Sequence, residues 1–330
     1  MSASRATAPL AAIDVGSNTI HLTAAQPLPG SQDVEVLADQ VELVRLGADV
    51  NATGAIGAER CARAIEVIRH QAEVASALGA VPLLGIATEG VRSARNGAEF
   101  VDQVRAATGV TLEMVTGDQE AALTYWGAIS ERDIEGHRAV IDLGGGSLEL
   151  VVGDGTHVAW RVSLPLGSGA IHDRLAPADP ADPAELLAAS AVVDETLRLL
   201  TPPLPVAEAA ACGGSATTLA GLAQRALGAT PEPGPAGAPE DRSALPLLTT
   251  DRIEALLGLL HLYPAGEISR RFGVEEGRAR LLPAGATILR GAMRRLSVDR
   301  VRVSRRGIRE GAILAYARHG DGWLEAAARG

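Results

Sequence analysis

Two stretches of this chain combine acids, glycines and hydroxyls at one spacing: "AIDVGSNTIHL" at residues 12–22 and "VIDLGGGSLEL" at 140–150. They align without a gap as apolar, Ile, Asp, apolar, Gly, two small or polar residues, Ser or Thr, apolar, polar, Leu. Glycine inside an apolar β pattern costs backbone entropy and offers no side chain to pack, so it marks a tight turn, a bulge or a ligand's close approach. Each copy reads as a hairpin with an acid at its bend. The bend is either an ordinary turn or a cradle presenting backbone N–H groups and hydroxyls to phosphate oxygens. The cradle residues are Gly16, Ser17, Asn18 and Thr19 in the first copy and Gly144, Gly145, Gly146 and Ser147 in the second. Repetition of the pattern favours the phosphate reading. Asp14 and Asp142 then make sense as ligands for Mg²⁺, which takes one or two carboxylates, waters and the substrate's phosphates.

Three more segments carry candidate chemistry. "CGGSATTLAGL", residues 212–222, leads from a strand into a helix, and Gly213, Gly214 and Ser215 could bring donors to an anion there; alternatively Ser215 or Thr217 caps the helix. In "VTGDQEAALTYWGAIS", residues 115–130, Thr116 or Asp118 caps a helix, and Gln119 completes a capping box if Thr116 is the cap. Glu120 then lies in or just past the first turn, where the helix dipole favours a carboxylate; on the residues alone it reads as an electrostatic cap. Finally, residues 290–310 are rich in Arg, whose forked guanidinium suits phosphate, and Ser304 and Arg305 at the end of a strand are the preferred anion contacts. The other arginines of this run have solvated helix faces as their ordinary role.

These segments need a scaffold. After the first hairpin, "AERCARAIEVIRHQAEVASALG" has helical spacing ending at Gly79, "PLLGIAT" is a strand, "GAEFVDQVRAATG" a helix ending at Gly109, "TLEMVT" a strand, and a helix follows from about Asp118 to Ser130. The alternation predicts mixed sheets with helices on their faces. Asp14 and Asp142 stand about one domain length apart, so the echo suggests a duplicated lobe. "PEPGPAGAPEDRSA", residues 231–244, reads as a surface loop, and a final helix over roughly Glu310–His319 follows the strand "RVRVSR".

The chain has 330 residues, 47% of them hydrophobic, enough for two ordinary domains. Its net charge of -10, its 2% aromatic content and its lack of Lys argue against general DNA binding and against a base-stacking platform. No run approaches a membrane span and no signal-like stretch precedes the first strand, so a cytoplasmic protein is expected. Cys61 and Cys212 form no CxxC pair, and the 7 His show no HExxH spacing, which speaks against a disulfide frame or a zinc site.

Taken together, "AAIDVGSNTIHL", "RLGADVNATGAIGAE", "ATEGVRSARNGAEF", "VTGDQEAAL", "VIDLGGGSLEL", "SLPLGSGAI", "CGGSATTLAGL", "LLPAGATIL" and "VSRRGIREG" resemble, in order, the exopolyphosphatase and guanosine pentaphosphate phosphohydrolase family. That family belongs to the sugar kinase, actin and heat-shock chaperone superfamily. The resemblance implies an α/β fold of two ribonuclease H-like lobes with a central cleft. The first lobe is expected over 1–132, with a C-terminal helix over 311–330 packed on it, and the second over 133–310. It also implies Mg²⁺-dependent (or Mn²⁺-dependent) removal of a terminal phosphate from inorganic polyphosphate by water. By resemblance Glu120 is the general base, which reverses the capping reading. Asp142 and Glu149, with Asp14 beside them, hold the metal and order the site, and Arg92 binds phosphate. Guanosine pentaphosphate is the alternative substrate, guanosine alarmones of the stringent response are expected substrates or inhibitors, and a non-catalytic sensor is the alternative from another class. A homodimer is implied by the resemblance alone; no DNA and no membrane partner is expected. Two departures stand out: Gln119-Glu120-Ala121-Ala122 where Glu-Glu-Ala-Arg is frequent, and Leu148 where Thr is frequent.

Overall fold

The computed structural model describes residues 8–29, 31, 33–129, 136–155, 157–231 and 245–329. The loop expected at 231–244 and the lobe boundary expected at 132 and 133 therefore lie almost wholly outside the described residues. Two compact units result: the described residues of 1–134, 155–163 and 306–330 form one, and those of 135–154 and 164–305 the other.

In the first unit, strands β1 (Leu10–Val15), β2 (Thr19–Pro27), β3 (Val34–Leu43), β4 (Leu83–Ala87) and β5 (Leu112–Met114) form a sheet in the order β3-β2-β1-β4-β5. The β1–β2 and β2–β3 pairs are antiparallel, whereas β1–β4 and β4–β5 are parallel. Strand alternation divides the two faces. Ala11, Ile13 and Val15 pack with Val67 and Ile68 of the Ala58–Ala77 helix and Phe100 and Val104 of the Gly97–Thr108 helix. Leu10 and Ala12 pack on the other face with Ala122 and Leu123 of the Gly117–Ile129 helix and with Ile308, Ala312 and Ile313 of the Ile308–His319 helix.

These last two helices cross backbone to backbone. An ideal Cβ on Gly311 would lie 1.8 Å from the Leu123 carbonyl oxygen, and one on Gly127 would lie 1.9 Å from the Gly307 carbonyl oxygen. The start of the Ile308–His319 helix is anchored to β2 by a buried polar chain. Arg309 Nε donates to Thr23 Oγ1 at 2.8 Å, Thr23 Oγ1 donates to Glu310 Oε1 at 3.0 Å, and the Gly307 N–H donates to Glu310 Oε2 at 2.8 Å. Pairing of this kind is what permits charges to be buried at all.

In the second unit, β6 (Arg138–Leu143), β7 (Leu148–Gly153), β9 (Glu208–Cys212), β10 (Leu248–Thr249) and β11 (Arg300–Val303) take the order β10-β11-β9-β6-β7; β8 (Val158–Leu164) groups up to Ser163 with the first unit. The β6–β9 and β9–β11 pairs are parallel, and β6–β7 is antiparallel. Around them the Leu282–Arg295 helix is buried along nearly its whole length because its small residues meet other elements closely. A Cβ on Gly291, for example, would lie 2.6 Å from Val193 Cγ1. The expected fold class, two α/β lobes of ribonuclease H-like build, is the fold present.

Candidate active site

The sequence echo is a structural echo. In the first hairpin Asp14 is opposite His21 and Val15 opposite Ile20; in the second Asp142 is opposite Glu149 and Leu143 opposite Leu148. Both bends close alike, the Gly16 N–H donating to the Thr19 carbonyl at 3.0 Å and the Gly144 N–H to the Ser147 carbonyl at 3.1 Å. Beyond that closure the two bends are held by different neighbours.

In the first unit the bend is gripped by two glycines. A Cβ on Gly90 would lie 2.6 Å from Ser17 Cα, and one on Gly47 would lie 2.9 Å from Ser17 Cβ. Ser17 is accordingly buried, while Gly16, Asn18 and Thr19 are half-buried. The Asn18 carbonyl accepts from the N–H groups of Val44 and Arg45 at 2.9 and 2.8 Å. Gly16 needs no left-handed backbone, and a Cβ there would point into a space bounded by Asp14 Oδ2 at 3.9 Å and Thr88 Oγ1 at 3.7 Å. The Thr19 carbonyl oxygen, at 3.4 Å, is nearer still, so the position has room for a methyl group in ordinary contact. Burial and the nearby Arg309 push the His21 imidazole below its usual pKa, against the opposing pull of Asp39.

Glu120 and Arg92 meet in this unit. The Gly117–Ile129 helix starts from the capping box: the Gln119 N–H donates to Thr116 Oγ1 at 3.2 Å, and the Thr116 N–H donates to Gln119 Oε1 at 2.9 Å. Thr116 is therefore the cap. Gln119 serves the box as well as Glu does, which explains one departure from the usual motif. Ala122, the second position of the same departure, is fully buried against the sheet. Glu120 follows directly after the box, 7% exposed. Its Oε2 accepts from Arg92 Nη1 at 3.0 Å; the same Nη1 donates to the Val115 carbonyl at 2.6 Å, and Nη2 donates to Glu89 Oε2 at 2.6 Å. Burial works to lower the Arg92 pKa, but Glu120 and Glu89 outweigh it and the net shift is upward. Sequence reasoning did not single out Glu89; its one available signal was the i, i+3 spacing to Arg92 on a helical turn.

In the second unit the glycine triplet abuts the start of the Ser168–Leu175 helix. The Gly144 carbonyl accepts from the Ser168 N–H at 3.0 Å, the Gly145 carbonyl from Gly169 at 2.9 Å and Ala170 at 3.1 Å, and the Gly146 carbonyl from Gly167 at 3.1 Å. In a trans peptide the N–H points opposite the carbonyl, so the N–H groups of Gly145, Gly146 and Ser147 face away from that helix. Successive amides turned one way make an anion-binding concavity. The helix's own first N–H groups, those of Ser168, Gly169 and Ala170, are consumed by the loop. Ser168 Oγ donates to the Gly144 carbonyl at 3.2 Å, and Ser215 Oγ donates to Ser168 Oγ at 3.0 Å. Ser215 is thus a brace for the triplet and not the helix cap. Gly213 has φ of 88°, and a Cβ on it would lie 2.5 Å from the Leu143 carbonyl oxygen and 2.8 Å from Asp142 Oδ1. Gly214 is exposed at the head of the Gly214–Leu227 helix.

For a divalent cation the chemistry of the donors is suitable. Asp142 and the 1% exposed Glu149 are directly opposite on adjacent antiparallel strands, and carboxylate oxygens are the donors Mg²⁺ takes. Among the described residues no cluster of three or more His, Cys, Asp or Glu forms a full ligand cage. Mg²⁺ does not require one, because it keeps waters and uses phosphate oxygens. Asp14 belongs to the first unit, half-buried opposite His21. Leu148, the remaining departure, is fully buried in the sheet.

Most arginines of the 290–310 run are paired within the protein. Arg302 pairs with Glu208 at 2.8 Å, Arg294 with Asp194 at 2.8 Å, Arg290 with Glu254 at 2.9 Å, and Arg306 with Asp33. The acids that absorb them lie on distant segments, so local charge counting could not reveal the pairing. Of the two preferred anion contacts, Arg305 is exposed, whereas Ser304 is buried with its N–H donating to the Ala211 carbonyl at 2.8 Å.

A model of the Ppx/GppA phosphatase family matches residues 28–319. The protein named Exopolyphosphatase 1 of Mycobacterium tuberculosis (strain ATCC 25618 / H37Rv) is 30% identical over 316 residues, covering 92% of this chain and 87% of that one. The crystal structure of the Aquifex aeolicus member of the Ppx/GppA family shares 27% identity with a TM-score of 0.75, covering 95% of this chain and 99% of that one. An exopolyphosphatase structure from Cytophaga hutchinsonii, 20% identical with a TM-score of 0.79 over 96% of this chain and 98% of that one, shares the fold. Repeated hairpins, capped Glu120 helix and near end-to-end alignment agree, and this chain belongs to the Ppx/GppA phosphatase family.

Proposed function

We propose that this protein is a Mg²⁺-dependent exopolyphosphatase that removes the terminal phosphate of inorganic polyphosphate with water activated by Glu120. The observation that carries the reading is the Glu120 carboxylate itself: nearly buried, fixed at the start of a capped helix and bound to Arg92 at 3.0 Å. A water hydrogen-bonded to Glu120 attacks the terminal phosphorus. As the new P–O bond forms, the bridging P–O bond breaks, the proton passes to Glu120 and a chain shorter by one phosphate leaves. Arg92 holds phosphate oxygens in the first unit, with the Gly16–Thr19 bend beside Asp14; the N–H groups of Gly145, Gly146 and Ser147 hold them in the second. Mg²⁺ bound through Asp142 and Glu149 supplies charge neutralisation for the phosphates. Gly213 and Ser215 keep the second bend in shape. A cytoplasmic setting, with both cysteines reduced, completes the proposal.

Inorganic polyphosphate makes no demand for base recognition, for which a chain with 2% aromatics has little provision. The test is phosphate release, with Mg²⁺, from short polyphosphate, long polyphosphate and guanosine pentaphosphate in parallel. Faster release from either polyphosphate is expected. Preference for guanosine pentaphosphate would move the assignment to the alarmone phosphohydrolase, and tight binding of all three without release would make the protein a sensor.

A further inference from the structure

Arg92 is already engaged on two sides. Nη1 is held by the Val115 carbonyl at 2.6 Å and Glu120 at 3.0 Å, and Nη2 by Glu89 at 2.6 Å. Guanidinium binds phosphate best when two N–H groups engage it together. A guanidinium offers five N–H groups, and a phosphate that takes the Nη2 N–H held by Glu89 must first remove that carboxylate. The partners on Nη1 are poorly replaceable: Val115 contributes backbone, and the Glu120 side chain is only 9% exposed. Glu89, at 26% side-chain exposure on the four-residue Glu89–Arg92 turn, is the partner that solvent reaches.

Resting on the exopolyphosphatase reading, we propose that Glu89 is a built-in competitor for Arg92, a carboxylate that incoming phosphate displaces, and that it sets the KM of this protein for polyphosphate. Two costs follow for the substrate. It must break a charge-assisted hydrogen bond, and it must bring phosphate charge close to the displaced carboxylate. A neutral amide at 89 relieves both. Glu89 itself touches neither the attacking water nor the scissile bond, so its removal leaves the chemical step nearly intact. A carboxylate that merely braces Arg92 would behave in the opposite way, because its loss would misplace Arg92 and Glu120 together and depress kcat.

The experiment is steady-state phosphate release from tripolyphosphate at saturating Mg²⁺ for wild type, Glu89→Gln, Arg92→Ala and the double variant, with the melting temperature of each as a folding control. Glu89→Gln should lower KM about fivefold, with kcat within about twofold, as expected for removing one partly exposed ionic partner. In the Arg92→Ala background the same change should lower KM clearly less than fivefold, since only charge repulsion is left to relieve and there is no guanidinium to compete for. An unchanged or raised KM in Glu89→Gln, or a fall in kcat, would overturn the competitor role while leaving the hydrolase reading standing. No release by wild type would overturn both.

Discussion

Glu120→Gln should lower kcat for phosphate release by about a thousandfold, within the range assigned to a positioned general base, while KM for polyphosphate changes little. Gln keeps the length of the side chain, and its amide oxygen can still accept from Arg92 Nη1, now 3.0 Å from Glu120 Oε2. The capping box of Thr116 and Gln119 does not involve the changed group, so the helix start is kept. What disappears is the capacity to take a proton from water. If Glu120 were only an electrostatic cap for its helix, the change would cost a few tenths to about 1 kcal/mol of stability and little activity. Measuring kcat, KM and melting temperature on the same variant separates the two roles.

Gly311→Ala should be the most damaging single methyl addition in the first unit. The new Cβ would lie 1.8 Å from the Leu123 carbonyl oxygen and 2.6 Å from its carbon, which are backbone atoms that no rotamer change can move. The Gly117–Ile129 and Ile308–His319 helices must separate, opening the packing of Ala122, Leu123, Ala312 and Ile313. A loss of about 3 kcal/mol or more is expected, at the upper end for overpacking, and is measurable as a drop in the denaturant midpoint. Activity should fall further than stability alone explains, because Leu123 and Glu120 share a helix and a displacement of about 1 Å at a reacting group can cost about a hundredfold. Gly258→Ala, at a site with nothing within 4 Å of the new Cβ, serves as the control and should be neutral or slightly stabilising.

Much of the scaffold was legible because its signals are local. The hairpins around Asp14 and Asp142 follow from alternation on either side of glycine, and the paired registers reproduce the residue-by-residue echo. Thr116 and Gln119 announced a capped helix, and Glu120 lies where that cap puts it. What stayed hidden was pairing over long sequence distances. Arg302 pairs with Glu208 and Arg290 with Glu254, and these acids belong to other elements, so a local count of arginines could not show the pairing. Ser215 does not cap its helix; it donates to Ser168, which donates to the Gly144 carbonyl, a contact set by how the 168–175 helix meets the loop. Glu89 was overlooked for a related reason: an acid three residues before an arginine is usually a surface pair, and only the three-dimensional placement of Glu120 on the far side of Arg92 gives it a part in the site.

The most direct test is to follow hydrolysis of a length-defined polyphosphate in water enriched in heavy oxygen, with Mg²⁺, resolving both the chain lengths and the mass of the released phosphate. Water attack on the terminal phosphorus predicts orthophosphate carrying one solvent oxygen and chains that shorten one unit at a time. Cleavage into internal fragments, or released phosphate carrying no solvent oxygen, would contradict it.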